Sequence, residues 1–222
     1  MRSTGTYVTI GSTQYFIPSP LPPKAPSFAL EGALAELYGT AMMNLGQLQG
    51  MVNSVPDIQR FIRSYALKEA MLSSEIEGVH TTLFDVLTQP LLEHAQNVSK
   101  EVQLVLNYTE ALMTSVSLLQ KEHIPISTRV IRSCHQTLLQ SHDPGHYRRQ
   151  SVRVGELIPP PPHEIPQLMS ELETYLHDTA DTIPALIRIG LVHVQFETIH
   201  PFLDGNGELV ALLIVGSYED AD

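Results

Sequence analysis

Positive charge is scarce in this chain. Only 13 of its 222 residues are Lys or Arg, against 24 Asp and Glu, and the formal net charge is −11. Proteins grip nucleic acid through clustered Lys and Arg. Arg148-Arg149 is the one basic pair that stands out, so no nucleic-acid partner is expected. Cysteine is scarcer still. A single residue, Cys134, excludes an internal disulfide and fits a cytoplasmic protein. It falls within an amphipathic helical pattern, which reads as a buried structural thiol rather than a nucleophile. Long apolar runs are absent too. None approaches the ~20 residues needed to span a bilayer, and the first residues lack the apolar core of a signal peptide, so no membrane partner is expected. What remains is 43% hydrophobic and 17% charged. That is a globular composition, long enough for one large or two small domains.

Hydrophobic periodicity predicts a mainly α fold with a minor β element. Tyr7–Ile10 and Gln14–Ile17 flank Gly11-Ser12 as a short hairpin. The Pro-rich stretch from Pro18 to Pro26 reads as an extended connector. Helices follow: from a Ser27 cap to about Gln49, from Pro56 to about Glu77 with Gly78 as a stop, a short one capped by Thr82, Val98 to Leu119, and one capped by Ser127 to about Gln140. Residues 141 to 163 are loop, with a short strand or hairpin around Arg149–Gly155. Pro166 and Pro184 open two further helices. The last of these is apolar around most of its girth and is expected to be central and buried. Residues 1–80 are read as the hairpin, linker and first helices, and residues 81–222 as the main helical domain.

That last helix runs into Ile199-His200-Pro201-Phe202-Leu203-Asp204-Gly205-Asn206-Gly207, which is followed by an apolar run, Leu209–Val215. A turn that opens a helix offers free backbone N–H groups and partial positive charge, and so suits phosphate. Gly205 and Gly207, flanking Asn206, let the backbone approach a ligand closely. Asp204 can hold a hard cation such as Mg²⁺, which combines one or two carboxylates with nucleotide oxygens. His200 is placed to act as a general base. On the residues alone, an ordinary helix–loop–helix turn competes evenly with this reading. The remaining histidines, including the pairs His142/His146 and His193/His200, lack the accompanying ligands of a zinc site. All but His200 are expected to be core or loop residues.

His200-Pro-Phe-Leu-Asp-Gly-Asn-Gly207 resembles the signature of Fic proteins, which transfer part of a nucleotide, usually AMP, to a protein hydroxyl. The resemblance implies a Fic-type helical bundle with a small N-terminal β-hairpin and a flap that aligns the target. It implies ATP as substrate with Mg²⁺ on Asp204, His200 as base, and phosphate held around Gly205, Asn206 and Gly207. The partner implied is a target protein with a Tyr, Thr or Ser hydroxyl, or the chain itself. Ser73-Ser74-Glu75-Ile76-Glu77-Gly78 resembles the family's inhibitory motif. Carried over, Glu77 occupies the γ-phosphate position and Ser73 supports it from the same helix face. Unaided, the same stretch reads as a polar helix end. Pro144-Gly-His-Tyr-Arg148 and the Pro159–Pro162 run also resemble family segments.

The chain departs from the pattern at two places. The signature normally continues Arg-x-x-Arg, but here positions 208 and 211 are Glu and Ala. A unit charge ~6 Å from phosphate at an effective dielectric of ~20 costs roughly 3 kcal/mol, about a hundredfold in binding. Only Glu156, Leu157 and Ile158 separate Gly155 from Pro159, so the flap is short. The acidic end, Tyr218–Asp222, reads as a tail where family members continue with helices. Three readings follow: a protein adenylyltransferase auto-inhibited by Glu77, a degenerate Fic-like binding or regulatory module, or a relative that uses another phosphate donor or removes AMP.

Overall fold

The computed structural model describes residues 4–24, 28–76, 78–91, 98–122, 125–139, 143–178, 180 and 182–210. The hairpin forms where alternation predicts it. Strands β1 (Gly5–Ile10) and β2 (Thr13–Pro18) pair antiparallel in the register Gly5↔Pro18 to Ile10↔Thr13. Seven helices follow in chain order: α1 (Gly32–Met51), α2 (Ile58–Ile76), α3 (Leu83–Thr88), α4 (Lys100–Glu122), α5 (Thr128–Leu138), α6 (Ile165–Leu176) and α7 (Ala185–Ile199). An eighth, α8, opens at residue 206 and is described to 210.

Caps explain most of the boundaries. The Thr82 hydroxyl accepts the Asp85 N–H at 3.1 Å, and Ser127 accepts from Val130 at 3.3 Å, each satisfying a first-turn donor. Pro184 stands at the N-cap of α7. The first helix differs from expectation. It starts at Gly32 rather than near Ser27, which lies outside the described residues. Glu31 is extended (φ −135°, ψ 161°) and Gly32 is left-handed (φ 56°), and neither angle continues a helix towards the N-terminus.

The core is built on α4. Its Val102, Val105, Tyr108, Ala111 and Leu112 are buried, and it packs against α2 on one side and α5 on the other. Leu168, Met169 and Leu172 of α6 and Val192, Phe196 and Ile199 of α7 complete it. Helix α7 corrects the sequence reading. It buries Ile189, Val192, Phe196 and Ile199 along one stripe, whereas Val194 on the opposite side is 63% exposed. The helix lies on the core rather than through it, with α6 against one side and β2 near another.

Two features frame the site. The flap is a two-residue hairpin: Val154 and Leu157 exchange both backbone hydrogen bonds, at 2.9 and 3.0 Å, around Gly155-Glu156. The N-terminal hairpin braces it from behind. Phe16 N–H donates to Ile158 C=O at 2.9 Å, Tyr15 Oη lies 2.8 Å from Ser151 Oγ, and Gln195 of α7 donates to Ser19 C=O at 3.1 Å.

Candidate active site

The site begins where α7 must stop. Pro201 has no N–H and crowds the preceding residue out of the right-handed helical region. His200 caps α7 in the left-handed region, at φ 48° and ψ 63°, rather than in the extended region usual before proline, while its N–H still reaches Phe196 C=O at 2.8 Å. That backbone costs about 1–3 kcal/mol for a residue with a Cβ and needs outside support.

Arg148 supplies the support. It is 2% exposed. Its guanidinium donates to four backbone carbonyls: His200 (2.7 Å), Ile199 (3.2 Å), Pro160 (2.7 Å) and Gln150 (3.0 Å). Its own N–H donates to Pro201 C=O at 2.9 Å. One buried cation therefore ties the end of α7 to the segments on both sides of the flap. Burial pulls its pKa down to about 10, which leaves it charged at neutral pH.

The loop after His200 is shaped by its own side chains. Phe202 is fully buried, stacked on the His135 ring at 3.9 Å and near Tyr147 at 5.5 Å. The Asn206 side chain closes the loop in both directions, accepting from Phe202 N–H and donating to Phe202 C=O, each at 3.0 Å. His135 pins the loop from below. Its Nδ1 accepts the Gly145 N–H at 2.8 Å, so Nε2 carries the proton that reaches Asp204 C=O at 3.1 Å. Burial lowers its pKa, which holds the ring neutral in this tautomer. Gly205 is left-handed (φ 75°), and a Cβ there would sit 3.0 Å from Leu138 Cδ2 and 3.1 Å from Leu139 Cδ1. Both backbone angle and space demand glycine.

These supports bring together His200, Asp204, Gly205, Asn206 and Gly207. The His200 ring is 19% exposed. Its Nδ1 faces Glu197 Oε2 at 3.6 Å, just beyond hydrogen-bond range, and has no closer partner. Asp204 is exposed. One of its oxygens accepts the Gly205 N–H at 3.0 Å, and the other has no protein partner among the described residues. The Gly205 amide is thus engaged. The next two, Asn206 and Gly207, open α8 without a protein acceptor among the described residues. An anion above this turn meets two free donors and a helix N-terminus.

Of the rest of the predicted set, Ser73 lies on α2. Helix α2 ends at Ile76 and Gly78 takes the left-handed stop (φ 84°), while Glu77 and Ala211 lie outside the described residues. Ser73 donates back along its helix to Glu69 at 2.8 Å. Glu208 is buried, 5% exposed, in the first turn of α8. Burial pushes the phenol of Tyr108 up to about 12, and the negative charge of Glu208 acts to raise it too, as does that of Glu69. The Glu208 carboxylate therefore lies near enough to Tyr108 of α4 for its charge to be felt there.

Asp204 can serve a divalent cation only together with other oxygens. No group of three His, Cys, Asp or Glu among the described residues could hold a metal by itself. A single exposed carboxylate oxygen fits a hard cation that arrives with phosphates.

Three contributors escaped the sequence reading. Glu197 was legible as an acid three residues before the histidine. Arg148 was visible as half of a basic pair and as the end of the Pro144–Arg148 segment, with no role assigned to it. His135 gave no signal beyond its place in an amphipathic helix.

A helical domain that runs a half-buried helix into a histidine-led, amide-bearing turn, with a short flap alongside, is a Fic-type domain. Sequence profiles of the Fic/DOC family match this chain, the N-terminal profile over residues 35–117 and the Fic/DOC profile over residues 125–215. The chain belongs to the Fic/DOC family. Its relatives include a protein adenylyltransferase, fic-1, of Caenorhabditis elegans, 34% identical over 102 residues, with 44% of this chain and 20% of that protein covered. The protein adenylyltransferase Fic of Drosophila melanogaster is 36% identical over 104 residues, with 45% of this chain and 21% of that protein covered. The chain thus spans about a fifth of the length of these curated relatives. Among solved structures, a Fic domain containing signaling protein from Bacteroides thetaiotaomicron superposes with a TM-score of 0.64 at 25% identity, over 80% of this chain and 73% of that one. A Fic family protein from Desulfovibrio desulfuricans gives 0.68 at 22% identity, over 88% and 60%, and supports the fold alone.

Proposed function

We propose that this chain is a protein adenylyltransferase that moves AMP from ATP to a Tyr, Thr or Ser hydroxyl of a target protein or of the chain itself. The observation that carries this reading is the pairing of His200 with two unpartnered amides across one short loop. With Nδ1 turned to Glu197, Nε2 is the nitrogen left to accept the hydroxyl proton. Catalytic hydrogen bonds are often long before substrate arrives, so 3.6 Å to Glu197 is compatible with an orienting role.

The hydroxyl oxygen bonds to the α-phosphorus as the bond to the bridging oxygen breaks. Pyrophosphate leaves, and the imidazolium returns its proton to solvent. The Asn206 and Gly207 amides hold phosphate oxygens and stabilise their charge in the transition state. Mg²⁺ shared between Asp204 and the nucleotide would neutralise the leaving pyrophosphate. Glu77, four residues after Ser73 in the sequence, restrains the site, with Ser73 as its support. No helix among the described residues is long and apolar enough to cross a membrane. The buried Cys134, 2.8 Å from Ser115 Oγ, fits a reducing cytoplasm.

One observation favours a second reading, a degenerate binding or regulatory module: Glu208 puts a buried carboxylate in the first turn of α8. The test is incubation with ATP labelled at the α-phosphate and Mg²⁺. Transfer is expected from a Glu77→Gly chain, more from Glu208→Arg/Ala211→Arg, and none from His200→Ala. Silence from all of them, with folding intact, selects the binding module. Label lost from a pre-modified target instead selects AMP removal.

A further inference from the structure

A cleft of about 220 Å³ opens beside the motif loop, outside the histidine and amide set. Leu203 forms one wall, and residues 146–150 form the other. We propose that this cleft is a docking subsite for the target protein, that it takes an acidic side chain within about three residues of the acceptor hydroxyl, and that Arg149 sets this preference. The identity of the partner rests on the transfer reading above.

Position comes first. Leu203 lies between the proposed base, His200, and Asp204. Three residues of chain span at most about 10 Å, so the cleft is that close to the reacting hydroxyl. An extended target advances about 3.4 Å per residue, which places the occupant two or three residues from the modified one.

Charge decides the chemistry of the occupant. From residue 144 to 155 the chain carries Arg148, Arg149 and Arg153 and no Asp or Glu, in a molecule of net charge −11. Arg148 is spent internally on four carbonyls. Arg149 is exposed at the cleft and has no partner among the described residues. The one acid lining the cleft, Asp143, is already engaged: His146 Nδ1 lies 3.2 Å from its Oδ1 and 3.1 Å from Pro144 C=O. Both neighbours are acceptors, so Nδ1 carries the proton. That pairing occupies one Asp143 oxygen, while the Arg149 guanidinium has no partner among the described residues and is open to an incoming side chain. Asp143 is held at φ 60°, and it and His200 (φ 48°) are the two non-glycine residues with positive φ among those described. Asp143 lines the cleft and His200 begins the motif loop beside it, and backbone strain of this kind tends to collect at functional sites. Leu203, 40% exposed, gives the stem of a Glu or Asp an apolar wall.

The test uses the full chain carrying His200→Ala, so that binding is read without transfer. Immobilised protein is offered synthetic peptides centred on Tyr, Thr or Ser, with Glu, Ala or Lys fixed at each position up to three residues away. Retention of Glu peptides over Lys peptides by about tenfold is expected, the scale of one charge-assisted hydrogen bond. Arg149→Glu should reverse the preference, and Arg149→Lys should keep most of it. Equal retention of all three peptide classes overturns the proposal, and so does an acidic preference that Arg149→Glu leaves in place. Acidic enrichment here, with no AMP transfer from the Glu77→Gly chain that keeps His200, supports the subsite while removing the transfer reading, so the two fail separately.

Discussion

Replacing Arg148 by Ala removes all four guanidinium bonds at once, those to His200, Ile199, Pro160 and Gln150. The bonds run from 2.7 to 3.2 Å, the side chain is 2% exposed, and those to Ile199 and Pro160 are buried. A buried acceptor stripped of its donor costs about 1–3 kcal/mol. Partial relaxation and the recovered desolvation of the cation hold the total to about 3–5 kcal/mol. At about 2–4 °C per kcal/mol for a chain of this size, Tm falls by roughly 6–20 °C. Arg148→Lys keeps the charge but replaces a planar fork with a single ammonium, so it recovers only part of the loss. The consequence for chemistry is separate. Without the bond to its carbonyl, His200 loses what offsets its left-handed backbone, and transfer falls even at temperatures where the variant is folded. Urea unfolding followed by circular dichroism gives the first quantity, and labelled transfer below the transition gives the second. A variant within about 0.5 kcal/mol of the parent, with transfer intact, would refute the claim that Arg148 holds the loop.

Other outcomes follow from the same geometry. The folded pKa of His135 is lowered chiefly by burial, so the unfolded chain takes up a proton first as pH falls. Its contribution is complete above about pH 6.5 and is lost below it, at up to about 1.4 kcal/mol per pH unit. Urea midpoints from pH 7.5 to 5 should fall more steeply for the parent than for His135→Gln; equal slopes would contradict this. Gly205→Ala forces a left-handed alanine against Leu138 and Leu139 and should cost about 1–3 kcal/mol. An unchanged unfolding midpoint would show that the loop tolerates a right-handed backbone there.

What the sequence disclosed and what it hid divide along physical lines. Local signals were read correctly: the Thr82 and Ser127 caps, the stop at Gly78, the prolines opening α6 and α7, and the hairpin around Gly11-Ser12. Each depends on a few neighbouring residues. The start of α1 was misplaced because two successive non-helical residues outweigh the apolar spacing that runs through Phe28 and Leu30. Apolar count misjudged α7, because composition does not say which side of a helix the core will cover. At the site, the helix-opening turn after His200 was legible from its glycines and the apolar run that follows. Its supports were not, since the bonds of Arg148 and His135 join residues 52 and 69 positions apart. The nearness of Glu208 to Tyr108 is equally a property of packing.

The central claim is that the turn opening α8 receives the triphosphate of a nucleotide beside His200. An NMR titration of the labelled chain with ATP and Mg²⁺ tests it most directly. The account predicts that the amide signals of Asn206 and Gly207 move furthest and saturate, and that they still do so in His200→Ala. Amides at that turn that stay still while others shift, or a spectrum that ATP leaves untouched in both the parent and the Glu208→Arg/Ala211→Arg chain, would contradict it.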